Sequence, residues 1–125
     1  VHMKTTYKSI MEAAAAMAPL MSVKGLSGRT QIMMMRLWGE LCANVKLAED
    51  ADAALVRGRG TVRPDGNIDF VSDAHKAEFL AQRDEMLRTE AEVHPITIKP
   101  EEAIFAVSTP SVWAALDGYI NIEEE

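Results

Sequence analysis

The sequence predicts an α+β fold, predominantly helical, with three to four helices, a small β-hairpin and one further short strand. Three observations carry this expectation. Apolar residues recur at spacings of three and four over 5–18, 29–57 and 74–92, the period of a helix with one buried face. Pro64-Asp65-Gly66-Asn67 is turn chemistry set between Thr61-Val62 and Ile68, Phe70, which reads as a hairpin. Ile96-Thr97-Ile98 alternates like a short strand.

In chain order, Tyr7, Ile10, Met11, Ala14, Met17 and Ala18 share one face of the first helix, and Ala13 to Ala16 have high helix propensity. Pro19 cannot donate its amide and ends that helix. Ser27 is positioned to cap a long second helix running from about Arg29 to Arg57. Its stripe is Met34, Trp38, Leu41, Val45, Ala48 and Leu55, with Ile32, Met33, Met35, Leu37 and Cys42 on a second flank. Its start is therefore apolar nearly all round. Ser72 or Asp73 caps the third helix, about 74–92, whose expected buried residues are Phe79, Leu80, Met86, Leu87 and Val93. His94-Pro95 stops it. Residues 103–107 fit either strand or helix. Thr109-Pro110 starts a last helix, about 110–117, which buries Val112, Trp113 and Leu116 and ends at Gly118.

The 125 residues suit one domain spanning 1–125, large enough to fold without a disulfide or metal. Val1-His2 reads as an expression remnant ahead of a start at Met3. The lone Cys42 gives no sign of an oxidising compartment. No stretch reaches the length of a membrane span and no basic-then-apolar leader is seen, so a cytoplasmic location is expected. Eight methionines make for a soft, adaptable core.

The net charge of −6 is unevenly spread. Residues 1–63 hold nine Lys/Arg and five acids; residues 64–125 hold four basic and fourteen acidic residues. Such asymmetry fits pairing within the molecule or head-to-tail between copies, a basic ligand surface on one side, or no more than solubility.

Two segments offer anion chemistry. Gly25-Leu-Ser-Gly-Arg-Thr30 opens the long helix, where free N–H groups and the dipole favour an anion, helped by Lys24 and Arg29. It lacks the Gly-Lys-Ser/Thr of a phosphate-binding loop. Arg57-Gly-Arg-Gly-Thr-Val-Arg63 is the densest basic patch, suited to a small anionic nucleotide or an acidic protein surface. The alternative at each is a solvated cap, or arginines paired with the acidic half of the same chain. An acidic chain with few aromatics argues against general nucleic-acid binding. His75 and His94 have no His or Cys at ligand spacing, so no metal is expected. No nucleophile elbow or acid/base pair is visible, and Cys42 inside a helix reads as an inert thiol, so no catalytic residues and no cofactor are expected. Met33, Met34, Met35, Leu37 and Trp38 form a wide apolar surface, the expected interface of a homo-oligomer.

The segment Leu20 to Arg57, with Gly25-Leu-Ser-Gly-Arg-Thr30 and the acids Glu49, Asp50 and Asp52, loosely resembles small proteins of tailed phages and prophages. The turn Asp65-Gly-Asn67, the helix 74–92, the strand Pro95-Ile-Thr-Ile98 and the late helix before Tyr119-Ile120 are similar in order. Those families have no assigned activity, so the resemblance implies a phage origin and transfers no functional residue. The Met-rich run and the alanine-rich first helix depart from their pattern. The expected function is a non-enzymatic phage-encoded interaction protein that binds and blocks a host anti-phage defence protein or nucleotide signal in the host cytoplasm. The alternatives are a virion or assembly accessory and a small nucleic-acid-binding module.

Overall fold

The computed structural model describes residues 2–102 and 110–123. Strand β1 (Met3–Thr6) leads into helix α1 (Tyr7–Met17), a 3-10 turn (Ala18–Ser22) and helix α2 (Gly28–Arg57). Strands β2 (Gly60–Val62) and β3 (Ile68–Phe70) precede helix α3 (Asp73–Arg88). Then come β4 (Glu90–Val93), β5 (Ile96–Ile98), a 3-10 turn (Pro100–Glu102), helix α4 (Pro110–Leu116) and β6 (Ile120–Ile122). The fold is α+β and predominantly helical, with more strands than the sequence reading supplies. The ambiguous stretch 103–107 and the Thr109 cap lie outside the described residues.

The helix starts follow from their caps. The Thr6, Ser27 and Ser72 hydroxyls accept the backbone N–H of Ser9, Thr30 and His75 respectively, each satisfying an orphan donor of a first turn. Helix α1 begins at Tyr7, later than expected, because residues 3–6 are extended and pair antiparallel with β4. That pairing also corrects the third helix. It ends at Arg88, Thr89 turns extended, and residues 90–93 form a strand in which Lys4 sits opposite Glu92. Val93 is buried as a strand residue, and Leu80 faces solvent because α3 buries only Phe79 fully.

Strands β2 and β3 form the predicted hairpin, with Gly60 opposite Phe70. Its turn has Asp65 Oδ1 accepting the Asn67 N–H at 2.9 Å, and Gly66 at φ +88°. Phe70 packs on Phe79 with ring centroids 5.4 Å apart, tying the hairpin to α3. Strands β5 and β6 pair in parallel, Ile96 opposite Ile120, with α4 in the connection between them.

The main core joins the inner faces of α1 and α2 to β5, α4 and β6. Ile10, Ala13, Met17, Leu37, Leu41, Val93, Ile98 and Leu116 are all but inaccessible. Val112 and Trp113 only half-bury against it. Tyr119 is also buried, and its hydroxyl lies 2.8 Å from both Thr5 Oγ1 and Ser9 Oγ, so the buried oxygen is satisfied. Gly118, at φ +86°, makes the turn that delivers Tyr119 inward. On the middle of α2, Glu40 accepts the His94 backbone N–H at 2.6 Å, with His94 Nδ1 at 3.0 Å from its other oxygen. This pins the β4–β5 corner. Among the described residues, no helix is long and apolar enough to cross a membrane.

Candidate functional site: a cleft between three helices and the hairpin

A cleft of about 660 Å³ opens where α1, α2, α3 and the hairpin meet. Helix α1 contributes Lys8, Met11 and Glu12; α2 contributes Ala48, Glu49, Asp52, Ala53, Val56 and Arg57. Val62, Gly66 and Ile68 close it from the hairpin, and Arg83, Met86 and Leu87 from α3. The cleft exists because α1 is short. Its eleven residues cover only part of the 30-residue α2, and α3 and the hairpin flank the remainder without filling it.

The floor is apolar, from Met11, Ala48, Val56 and Met86, and the charges balance. Lys8, Arg57 and Arg83 stand against Glu12, Glu49 and Asp52. Arg83 Nε lies 3.1 Å from Asp52 Oδ1, and its guanidinium sits 5.8 Å from the Phe79 ring centroid. That Asp52 oxygen is itself inaccessible and lies against the Arg83 guanidinium, so the pair is held within the cleft wall. The volume falls within the range of ligand pockets.

The predicted basic residues do not converge. Lys24 and Arg29 stand near the start of α2. Arg57 ends it, 28 residues beyond Arg29, or about 42 Å at 1.5 Å per residue. Arg59 Nε lies 3.6 Å from Glu78 of α3, and Arg63 Nε 3.2 Å from Asp69 of the facing strand. Two of the three patch arginines are therefore turned to the chain's own acids, the internal pairing that the sequence offered as the alternative to an anion site. Arg57 lines the cleft and has no ion pair among the described residues.

The start of α2 also differs from expectation. Ser27 does cap it, but the anion there is the chain's own. Glu102 accepts the Ser27 backbone N–H at 2.9 Å, the Thr30 hydroxyl at 2.8 Å and the Ser27 hydroxyl at 3.3 Å. A carboxylate in this position fills the place proposed for a ligand. The Ser27 N–H, then the Thr30 hydroxyl, hold the Glu102 pKa below the ordinary glutamate value. A carboxyl with a depressed folded-state pKa stabilises the fold above the unfolded value and loses that contribution as pH falls through the folded one. Acid is therefore expected to loosen residues 99–102 from α2 below pH 4.5. Carboxyl NMR titration should place Glu102 below the ordinary glutamate value, and Glu102→Gln should remove that step from the pH dependence of stability.

The predicted interface residues divide. Met34 and Leu37 lie in the chain's own core, because their side of α2 faces α1 and the β5–β6 region. They are not available to a partner, which corrects that assignment. Met33 and Trp38 pack half-buried beside that core, and Met35 is exposed. Cys42 is half-buried. Among the described residues no three His, Cys, Asp or Glu side chains are grouped to hold a metal ion. Comparison with protein-family models, with curated proteins and with solved structures finds no match.

Proposed function

We propose that this chain is a non-enzymatic binding protein whose cleft between α1, α2, α3 and the hairpin receives an amphipathic segment of another protein. The supporting observation is the composition of the cleft: an apolar floor framed by rim charges of both signs. Apolar anchors in a pocket, framed by polar groups that fix register, are how protein segments are held. A nucleotide is the weaker reading. Glu12, Glu49 and Asp52 line the same walls as Arg57 and would repel its phosphates.

The resemblance to small phage proteins suggests the kind of partner, a host component blocked by occupation of the cleft. On that reading the protein acts in the host cytoplasm as an inhibitor of an anti-phage defence protein. A virion or assembly accessory is the second reading. A general nucleic-acid-binding module fits a cleft with three carboxylates least.

Ala53→Trp places an indole in the mouth of the cleft without touching the core. Wild type and variant are to be used to capture proteins from host lysate, with quantitative mass spectrometry of both eluates. One protein held by the wild type and reduced at least about tenfold by the variant is expected. Equal capture by both, or calorimetric heat with a panel of linear and cyclic nucleotides that Ala53→Trp abolishes, would overturn the protein-segment reading.

A further inference from the structure

We infer that the outward face of α2 is a self-complementary dimer surface, on which a second copy of this chain docks antiparallel about a two-fold axis at Ala43. The face lies opposite the buried stripe of α2. It carries Ile32, 67% exposed, and Leu47, 57% exposed, with Met35, 65% exposed, at its margin. Isolated apolar residues on a surface mean little. Ile32 and Leu47 share one face of one helix and each stays more than half exposed, although Leu47 borders Tyr7, Met86 and Thr89, and Met35 borders residues 20–26.

The sequence along this face has its own symmetry. At 100° per residue, positions 32, 36, 39, 43, 47, 50 and 54 fall within about 40° of one line, and all seven are exposed. Their distances from 43 are the same in both directions. In an antiparallel pair centred there, each residue comes level with its mirror position on the other copy. Leu47 comes level with Gly39 and Ile32 with Ala54, a large side chain beside a small one each time. Arg36 comes level with Asp50, so two opposite-charge pairs form per dimer. Ala43 meets Ala43 on the axis, where only a small side chain permits close approach. Farther out Arg29 comes level with Arg57, a like-charge pair in open solvent, where salt screens it.

Gly39 is an independent observation pointing the same way. A glycine inside a helix is destabilising relative to alanine. A Cβ built on Gly39 meets nothing within 4 Å, and its φ is not positive, so neither crowding nor backbone conformation within one chain calls for glycine. A partner's Leu47 seated over it does. Among the described residues Asp50 is otherwise engaged only by Lys46 at 3.4 Å, an exposed pair within one helix that contributes little.

The test is sedimentation velocity of the whole chain from about 1 to 500 μM. The expected species has twice the chain mass. Ala43→Arg, which sets two cations together on the axis, is expected to weaken association at least about 100-fold with an unchanged circular dichroism spectrum. Arg36→Asp alone is expected to weaken it at least about tenfold, and Arg36→Asp with Asp50→Arg to restore it. In a Cys42→Ala background, Ala43→Cys is expected to form an intermolecular disulfide on mild oxidation, and Thr61→Cys on the hairpin is not. A monomer throughout the concentration range, a dimer indifferent to Ala43→Arg, or cross-linking through Thr61→Cys in preference to Ala43→Cys would each overturn the inference.

Discussion

Tyr119→Ala is expected to destabilise the fold by about 3–5 kcal/mol, the range for deleting a buried aromatic. Tyr119 is almost inaccessible, and it lies between Gly118 and β6 at the junction of α1, α4 and the β5–β6 pair. Its removal leaves a cavity and strands the hydroxyls of Thr5 and Ser9, each 2.8 Å from the phenolic oxygen. The two contributions can be separated. Tyr119→Phe keeps the ring and loses only the hydrogen bonds, so about 1 kcal/mol is expected. Urea denaturation of the three proteins reads both, and similar losses from the two variants would show that the hydroxyl, not the ring, dominates.

Leu41→Ala is the second large effect. Leu41 lies on the inner face of α2, fully buried in the cluster that joins α1 to β5 and α4. A loss of about 2–5 kcal/mol is expected, which lowers Tm by roughly 8–19 °C in a chain of this size. Leu47→Ala, six residues on but facing outward, is the control. Its side chain is exposed, so the stability of the isolated chain should change by less than about 0.5 kcal/mol. Equal costs at the two positions would mean that the burial assigned to the two faces of α2 is wrong.

The helices were legible because their signals are local. Ser27 and Ser72 cap where a Ser before an apolar-periodic run says they should, and Pro64-Asp65-Gly66-Asn67 turns where its residue types demand. Strands β1, β4 and β6 were not, for a physical reason. Each has only three or four residues and is stabilised by a partner far along the chain, as Lys4 is by Glu92. Glu90-Ala91-Glu92-Val93 does alternate between exposed and inward positions, a period-two signal masked by its place at the end of a strong helix.

The site was less legible still. Arg57 was picked out by its neighbours Arg59 and Arg63, yet those two pair with Glu78 and Asp69. Asp52, Ala53 and Met86 carry no motif and meet only because α1 is short. Charge asymmetry along the chain was compatible with internal pairing, with pairing between copies and with a basic ligand surface alike. It could not indicate that Glu102, 75 residues from Ser27, would take the anion position at the start of α2.

The cleft is the surface proposed to meet a partner. Hydrogen–deuterium exchange of the chain, alone and with a protein recovered in the lysate capture proposed above, addresses this directly. Slowed exchange is predicted in residues 48–57, 62–68 and 83–87, with residues 27–31 unchanged. Protection confined to the start of α2, or spread over surfaces that exclude the cleft walls, would contradict it.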